Sequence, residues 1–443
     1  MRNGRSLKCA NVLRFDTNHN KTADLLSMRR ILYVWNYREW GGAQIYFLSL
    51  MKAAREVANP FEVKAIIPED SDERVLKYLA DLNVPVEFVQ AAPPAVGTAK
   101  GFVGKLLHRI RVYRSENRLV TRILKELAEG RDDQPQASGV PVVHIDLGFW
   151  QSYRALARLL RRANVFVTQH TALVDPGGIR GLSWRMKGKR VSGFPNFVVL
   201  ASNNDAKNSL RPFLTQKKFD SIRVTYTGID PDEIADVDDA GSHAEHRRSG
   251  HSLSAGMPLV ITVGQFIERK GCWVVLDALR KLRDAGENIQ FLWLGTSALD
   301  SGTVEIINGY HLGDRFRFLS GEEIGPSRND LLGLLGTADT FVLASFREGL
   351  PIALVEAMAL GVPCIASRVG AIPEAIDHNV SGLVVTPGDA DDLAEAIRTL
   401  VHDPEMRKMF GTAARAIAFE KFNQKTTAEE TVRIYDKVWK TSG

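Results

Sequence analysis

Short apolar runs alternate with helical patterns along almost the whole chain, and this alternation narrows the choice of fold more than any other feature. The segment Arg30–Asn36 reads as a strand and leads through Gly41-Gly42 into the apolar-periodic stretch Ala43–Val57. Further strand-like runs follow at Phe61–Ile67, Val140–Ile145, Asn164–Thr168, Phe197–Ala201 and Ser221–Tyr226. Helical patterns at Glu73–Leu82, Lys105–Ala128, Gln151–Arg162 and Asp205–Phe213 separate them. Strands joined by helices of roughly 10–20 residues build βαβ units, so parallel sheets covered on both faces are expected. Near-continuous apolar strands fit burial from two sides.

The pattern breaks once. Residues Ile234–Met257 are polar and rich in Gly, Ser and His, which marks a linker. A second series then begins, with strands at Leu259–Val263, Ile289–Leu294, Phe316–Leu319, Thr340–Leu343, Pro363–Ala366 and Leu383–Val385. Its helices are expected at Trp273–Asp284, Arg328–Leu335, Ile352–Leu360, Asp392–His402 and Pro404–Phe419, with a last one at Thr426–Trp439. The fold class is therefore α/β: two Rossmann-like, doubly wound domains facing a central cleft. Residues 1–28 form an N-terminal extension without a core pattern, a candidate disordered segment. The first domain spans 29–233, the linker 234–257 and the second domain 258–422. Residues 423–443 form a C-terminal helix expected to cross back to the first domain. Ligands of open α/β sheets bind at the strand-to-helix turns, so chemistry belongs in the loops that end the strands.

A length of 443 residues suits two such domains. No apolar run approaches the roughly 18–20 residues needed to cross a bilayer. The first 28 residues carry Arg2, Arg5, Lys8 and Arg14 without an apolar segment, so no secretory signal is visible. Three cysteines, Cys9, Cys272 and Cys364, lie far apart and pair in no metal or redox motif. A reducing cytoplasm is the expected compartment. The net charge of +5 conceals a division. Residues 1–230 carry 36 Lys+Arg against 21 Asp+Glu, a net +15; the remainder carries 21 against 31, a net −10.

Two segments of the second domain carry chemistry. In Ser345–Pro363, a strand enters a loop with Glu348 and Gly349, Pro351 opens a helix, and Gly361 stops it. Free backbone N–H groups near Ile352–Val355 would attract a diphosphate. Glu356, inside that helix, suits a neighbouring ribose diol, and Glu348 stays on the reacting side. In Val260–Gly271, a strand delivers Gly264 and Gln265 and then the basic pair Arg269-Lys270 before the next helix. Gly41-Gly42 permits close approach of backbone to a ligand at another helix start. His170 ends the strand Val165–Gln169 where it meets the cleft.

The Glu-x7-Glu spacing, with EGLP at its start and EAMALGVP at its end, closely resembles the retaining nucleotide-sugar glycosyltransferases of family GT4, which have the GT-B architecture. The resemblance runs from about Arg29 to Trp439 and is strongest from Leu259 to Pro387. It implies that Glu348 lies near the transferred sugar, that Glu356 holds the nucleotide ribose, and that Lys270 neutralises the donor diphosphate. Gln265 stands where the family has Arg, so one cation is missing unless Arg269 replaces it. The resemblance further implies donor contacts from Gly42, Gly349, Leu350, Pro351, Leu354 and Val355, and places His170 near the sugar hydroxyls. Ser202 fits the family's strand-Ser turn, Thr227 replaces the Asn of its PNGVD turn, and Gly295-Thr296 matches the glycine turn near the base. His144 is read either as an acceptor-side or as a packing residue. The expected donor is a UDP-, GDP- or ADP-sugar, attacked from the face the diphosphate leaves. No metal or other cofactor is expected.

The acceptor is less legible. Lys105–Lys125 and Ile179–Arg190 interleave Arg and Lys with apolar residues. This pattern suits either peripheral attachment to an anionic membrane, serving a lipid-linked acceptor, or ordinary basic helix faces. A glycan or lipid-linked acceptor is expected, and no nucleic-acid motif accompanies the charge. Asp389-Ala-Asp391 has metal-like spacing but is read as a helix cap. Neither GxxxxGK[ST] nor GxGxxG occurs. The competing functions are a phosphorylase or epimerase of the same architecture and a non-catalytic sugar-nucleotide-binding protein.

Overall fold

The computed structural model describes residues 29–38, 41–90, 101–132, 140–239, 248–251, 253, 256–325 and 327–441. The extension 1–28 and part of the stretch read as a linker lie outside these residues. The first half forms a seven-stranded parallel sheet. Its strands are β1 (Arg29–Val34), β2 (Phe61–Pro68), β3 (Val86–Val89), β4 (Val142–Ile145), β5 (Asn164–Gln169), β6 (Phe197–Ala201) and β7 (Arg223–Val224). The second half forms a six-stranded parallel sheet. It comprises β8 (Leu259–Val263), β9 (Gln290–Leu294), β10 (Phe316–Leu319), β11 (Thr340–Leu343), β12 (Cys364–Ser367) and β13 (Gly382–Val385). The spatial orders are β3-β2-β1-β4-β5-β6-β7 and β10-β9-β8-β11-β12-β13. Each order reverses once, between β1 and β4 and between β8 and β11.

Strands β4, β5, β9, β11 and β12 are buried at every position, as two-sided covering by helices demands. The edge strands of the first sheet were the hardest to read from sequence. β3 carries Glu87 and exposes Phe88, so it lacks the buried apolar run of a central strand. The run Ser221–Tyr226 pairs only at Arg223–Val224, because an edge strand has one neighbour.

In the first half the helices are α1 (Gly42–Glu56), α2 (Glu73–Asp81), α3 (Gly101–Asp132), α4 (Phe149–Leu159), α5 (Gly178–Val191), α6 (Asn204–Ser209), α7 (Gln216–Asp220) and α8 (Pro231–Asp239). Helix α8 corrects the linker boundary at 234. Asp230 accepts the Asp232 N–H, Pro231 occupies the first turn, and Ile234 and Val237 bury one face in the core of the second domain. Asp232 and Asp236 are exposed on its other side, which made the stretch look coreless.

The chain links the halves twice. Ile229 bridges Asn423, and a Cβ on Gly228 would overlap the Phe422 carbonyl oxygen, so the two crossings touch where only glycine fits. The final helix, Gln424–Thr441, packs on α1 of the first domain. Ala428, Val432, Tyr435 and Trp439 recur at helical spacing and enter its core beside Tyr33, Phe61 and Phe166. Burying such side chains is worth about 1.5–3 kcal/mol each. His144 is fully buried there, with Nδ1 2.5 Å from the Tyr435 hydroxyl and Nε2 2.8 Å from Thr168 Oγ1. It is a packing residue. A third link crosses the cleft: the Glu374 carboxylate accepts hydrogen bonds from the Asn204 and Asp205 backbone N–H groups and from the Tyr226 hydroxyl. No described helix is long and apolar enough to cross a membrane.

Candidate active site

The carboxyl ends of β8 and β11 meet at the strand-order reversal of the second sheet, and two sequence-distant segments converge there. After β8, Gly264 adopts a φ of 149° and the chain makes one short turn, Glu268–Lys270, before the helix Cys272–Asp284. Gly271 between them has a φ of 73°, and a Cβ on it would overlap the Ala344 carbonyl oxygen after β11. That contact requires glycine on both conformational and steric grounds. It brings Lys270 Nζ to 2.6 Å from Glu348 Oε1. Ser345 Oγ donates to the same oxygen at 2.7 Å. Arg269 lies 3.8 Å from Glu348 Oε2 and donates to the Arg347 carbonyl, so its guanidinium supplies the second cation at this loop. Gln265 is exposed at the mouth of the cleft and does not join the cluster.

The loop after Glu348 is held against the first domain. A Cβ on Gly349 would lie 2.5 Å from the His170 carbonyl oxygen, and one on Gly42 would lie 3.1 Å from the Ile352 side chain. Glycines on both sides of the cleft therefore permit its closest approach. Ser202 and Asn203 hydrogen-bond the same His170 carbonyl and fix the end of β5. The His170 ring stands edge-on to Tyr46, and its Nε2 is buried without a hydrogen-bond partner among the described residues. Burial pulls its pKa down to about 4, so it is a neutral imidazole at ordinary pH.

The helix Ile352–Ala359 starts after Pro351, which is its N-cap. The N–H groups of Leu354 and Val355 both reach the Pro351 carbonyl, at 3.2 and 3.3 Å, and their side chains are core residues together with Leu350. This corrects the expectation that Leu354 and Val355 offer free amides. The groups without an intrahelical acceptor are those of Ile352 and Ala353, because bonding begins at the third residue of the helix.

Glu356 is placed differently from expectation as well. Its carboxylate is buried and paired with Arg328, whose Nε lies 2.5 Å from Glu233 on α8. Burial alone would lower the Arg328 pKa, but the two carboxylates raise it above its ordinary value. Arg328 lines a cleft cavity of about 900 Å³, whereas Glu356 sits behind it. Val263, Gly264, Gly295, Thr296 and Gly321 form one wall of that cavity, and Glu73, Arg74, Lys77 and Tyr78 of α2 form the other. Sequence reading passed over Arg328. Its signal was a cation at the first position of a helix, where the dipole disfavours it unless carboxylates offset the cost. Asp389 accepts the Asp391 and Asp392 N–H groups at 3.0 Å and is a helix cap.

Residues 245–417, which contain Gln265, Lys270, Glu348 and Glu356, match the family described as glycosyl transferases group 1. This stretch of the chain is similar to the group 1 glycosyltransferases. N-acetyl-alpha-D-glucosaminyl L-malate synthase of Bacillus anthracis is 28% identical over 185 residues, 42% of this chain and 47% of that protein. The amylovoran biosynthesis glycosyltransferase AmsK of Erwinia amylovora is 29% identical over 226 residues, 49% of this chain and 51% of that protein. The chain thus spans about half the length of the curated relatives it matches. The Anabaena HepE structure solved in complex with UDP is similar in fold over 92% of this chain and 100% of its own, with a TM-score of 0.68 at 18% identity. The matched residues therefore sit in a GT-B architecture, with their switch-point loop facing the β1 and β5 ends of the first domain.

Proposed function

We propose that the protein transfers a sugar from a UDP-, GDP- or ADP-sugar to a hydroxyl of a glycan or lipid-linked acceptor, with retention at the anomeric carbon. The observation that carries this reading is the Lys270–Glu348 pair at 2.6 Å, set at the rim of the cleft beside a helix start. Breaking the donor C1–O bond leaves positive charge on the ring and negative charge on the diphosphate. Lys270, Arg269 and the Ile352 and Ala353 N–H groups would stabilise the leaving group, and Glu348 would stabilise the ring. The unpaired Nε2 of neutral His170 would meet a sugar hydroxyl. Nucleoside would occupy the 900 Å³ cavity, with Arg328 turning aside so that Glu356 accepts the ribose diol. Attack from the departure face lets the diphosphate take the acceptor proton, so no metal or separate nucleophile enters the scheme.

The likeness to a fold neighbour solved with UDP supports the nucleotide, and the relative named for amylovoran biosynthesis supports a polysaccharide or glycolipid product. Helix α3 exposes Leu107, Ile110 and Tyr113, and α5 exposes Ile179, Leu182 and Met186, both among arginines and lysines. This pattern supports a cytoplasmic enzyme attached peripherally to the anionic inner face of the membrane. Product analysis by NMR with each donor, with and without EDTA, tests the reaction. A product of inverted configuration or dependence on a divalent cation overturns the mechanism. Nucleotide binding without any turnover favours a non-catalytic protein instead. Co-sedimentation with vesicles containing phosphatidylglycerol, lost at high salt, tests the membrane reading; recovery only in the supernatant overturns it.

A further inference from the structure

The two walls of the 900 Å³ cleft cavity bring different chemistry to a ligand. The wall from the second domain is largely backbone. Gly264, Gly295 and Gly321 stand just beyond β8, β9 and β10 and line it. A Cβ on Gly295 would lie 2.2 Å from the Phe318 ring, and one on Gly321 would lie 3.0 Å from the Thr296 carbonyl oxygen. The strand ends therefore close into a floor that a flat ring can approach closely. The one cation of this wall among the described residues is Arg328, and Glu233 and Glu356 occupy it.

The wall from the first domain is a helix face. Val75 and Leu79 are fully buried and anchor α2, which turns its opposite side toward the cavity. Glu73, Lys77 and Asp81 recur there every fourth residue, with Arg74 and Tyr78 beside them. The Arg74 guanidinium donates to both carboxylate oxygens of Asp72, at 2.9 and 2.8 Å. The Tyr78 hydroxyl donates at 3.3 Å to Glu233, the carboxylate that also accepts from Arg328. Burial and the Glu233 charge hold the Tyr78 hydroxyl above its ordinary value, so it stays a neutral donor. Tyr78 thus ties α2 to α8 across the cavity.

Lys77 is left over. Its ammonium pairs with no carboxylate among the described residues, although Glu73 and Asp81 lie about one turn to either side. Three cations among the described residues line the cavity, and Lys77 alone is uncommitted. The diphosphate end of the donor has its own cations, Lys270 and Arg269, and neither lines this cavity. An ammonium facing a backbone floor is placed to donate to the edge of a ring held between them. Nucleobases differ at that edge. Guanine presents O6 and N7 as acceptors and uracil presents O4, whereas adenine places its N6 amino donor where the others carry oxygen.

We propose that Lys77 reads the donor's base from across the cleft, donating to O4 of uracil or O6 of guanine and disfavouring adenine. The assignment rests on the transferase reading above and narrows its donor to a UDP- or GDP-sugar. It also puts base selection on the domain opposite the one that carries Lys270 and Glu348. The full donor site then exists only while α2 stands across the cleft, where Tyr78 holds it through Glu233.

Titration calorimetry of the full chain with UDP, GDP and ADP tests this. Wild-type protein is expected to bind UDP or GDP at least about tenfold tighter than ADP. Lys77→Met keeps the aliphatic stem of an exposed side chain and should weaken the preferred nucleotide about tenfold, with ADP changed by less than about twofold. Lys77→Arg, which keeps a donor, should retain the preference, and its loss there too overturns donation to the base. An equal loss for all three nucleotides in Lys77→Met would put the ammonium on the phosphates and overturn the assignment. Unchanged affinities, or a wild-type protein that does not discriminate against ADP, overturn it as well. Each of these results leaves the transferase reading standing. If none of the three nucleotides binds the wild-type protein, both readings fall.

Discussion

The two switch points are built alike in topology and oppositely in chemistry. At β8/β11 the charges are matched within the protein: Lys270 with Glu348, and Arg328 with Glu356 and Glu233. Glycines lock the backbone there, and Gly271 tolerates no side chain. At the β1/β4 crevice the Tyr37 hydroxyl in the depth has no hydrogen-bond partner, and Arg109, Arg180 and Lys187 at the rim have no ion-pair partner, among the described residues. A prebuilt, internally neutral cluster suits a ligand fragment that never varies, such as a nucleotide diphosphate. An unsatisfied, roomy crevice suits the partner in which proteins of one fold differ. The charge division follows the same line. The half with net −10 has only a few local cations at its switch point, and the half with net +15 carries part of its excess on α3 and α5.

The comparison breaks first if the matched cluster is dispensable. Glu348→Gln and Lys270→Ala are each expected to lower transfer about 10²–10³-fold, or about 3–4 kcal/mol of transition-state stabilisation, without altering the melting temperature. Steady-state kinetics with whichever donor the product analysis supports check this, and wild-type turnover in either variant sinks the assignment. Arg328→Ala leaves Glu356 buried and unpaired, so urea unfolding should show a loss of about 3 kcal/mol. The same variant should gain more protection from UDP than the wild type does, since Arg328 no longer occupies the carboxylate. An equal gain would mean that Glu356 does not serve the ribose.

Smaller effects sharpen the contrast. Glu374→Ala removes the carboxylate that latches α6 across the cleft, and the expected cost is about 1 kcal/mol with a larger radius of gyration in solution scattering. An unchanged radius would show that the two chain crossings alone hold the cleft closed. The pH profile separates the two unpaired groups. Folded His170, at about 4, lies below its ordinary value of 6.5, so the unfolded chain binds the proton first and stability falls as pH drops from 6.5 toward 4. Folded Asp146, at about 6, lies above 3.8, so the folded chain binds the proton first and gains stability over 6 to 3.8. The two contributions oppose each other. Asp146→Asn should therefore steepen the acid loss of stability between pH 6 and 4, by at most about 1.4 kcal/mol per pH unit. Thermal melts across that range measure it, and parallel profiles would show that Asp146 has a solvated partner.

Much of this protein was readable from local pattern. The Arg328–Leu335 helix and the strand Phe197–Ala201 have the expected limits, because capping and apolar runs are encoded within a few residues. Lys270 and Glu348 were legible for a similar reason. Each sits one short loop beyond an apolar strand, and parallel sheets bring such loops to one edge. The edge strands of the first sheet and the α8 boundary were not, since their partners supply the contrast that a single segment lacks.

The order of elements, the two-sheet architecture and the loops that bear the charged cluster follow from period and glycine placement along the chain. The occupancy of each charge does not. Arg328 meets Glu233 across 95 positions, and the Asn204 N–H meets Glu374 across 170. Whether a carboxylate is free, paired or desolvated depends on atoms that only folding brings within a few ångströms. For the same reason Glu356 is read as an acid inside a helix but not as a buried one screened by arginine. Asp146 reads in the sequence as one more acid after a strand. Its loss of solvent, and with it the character of the crevice, comes from α3, α4 and α5 closing around it.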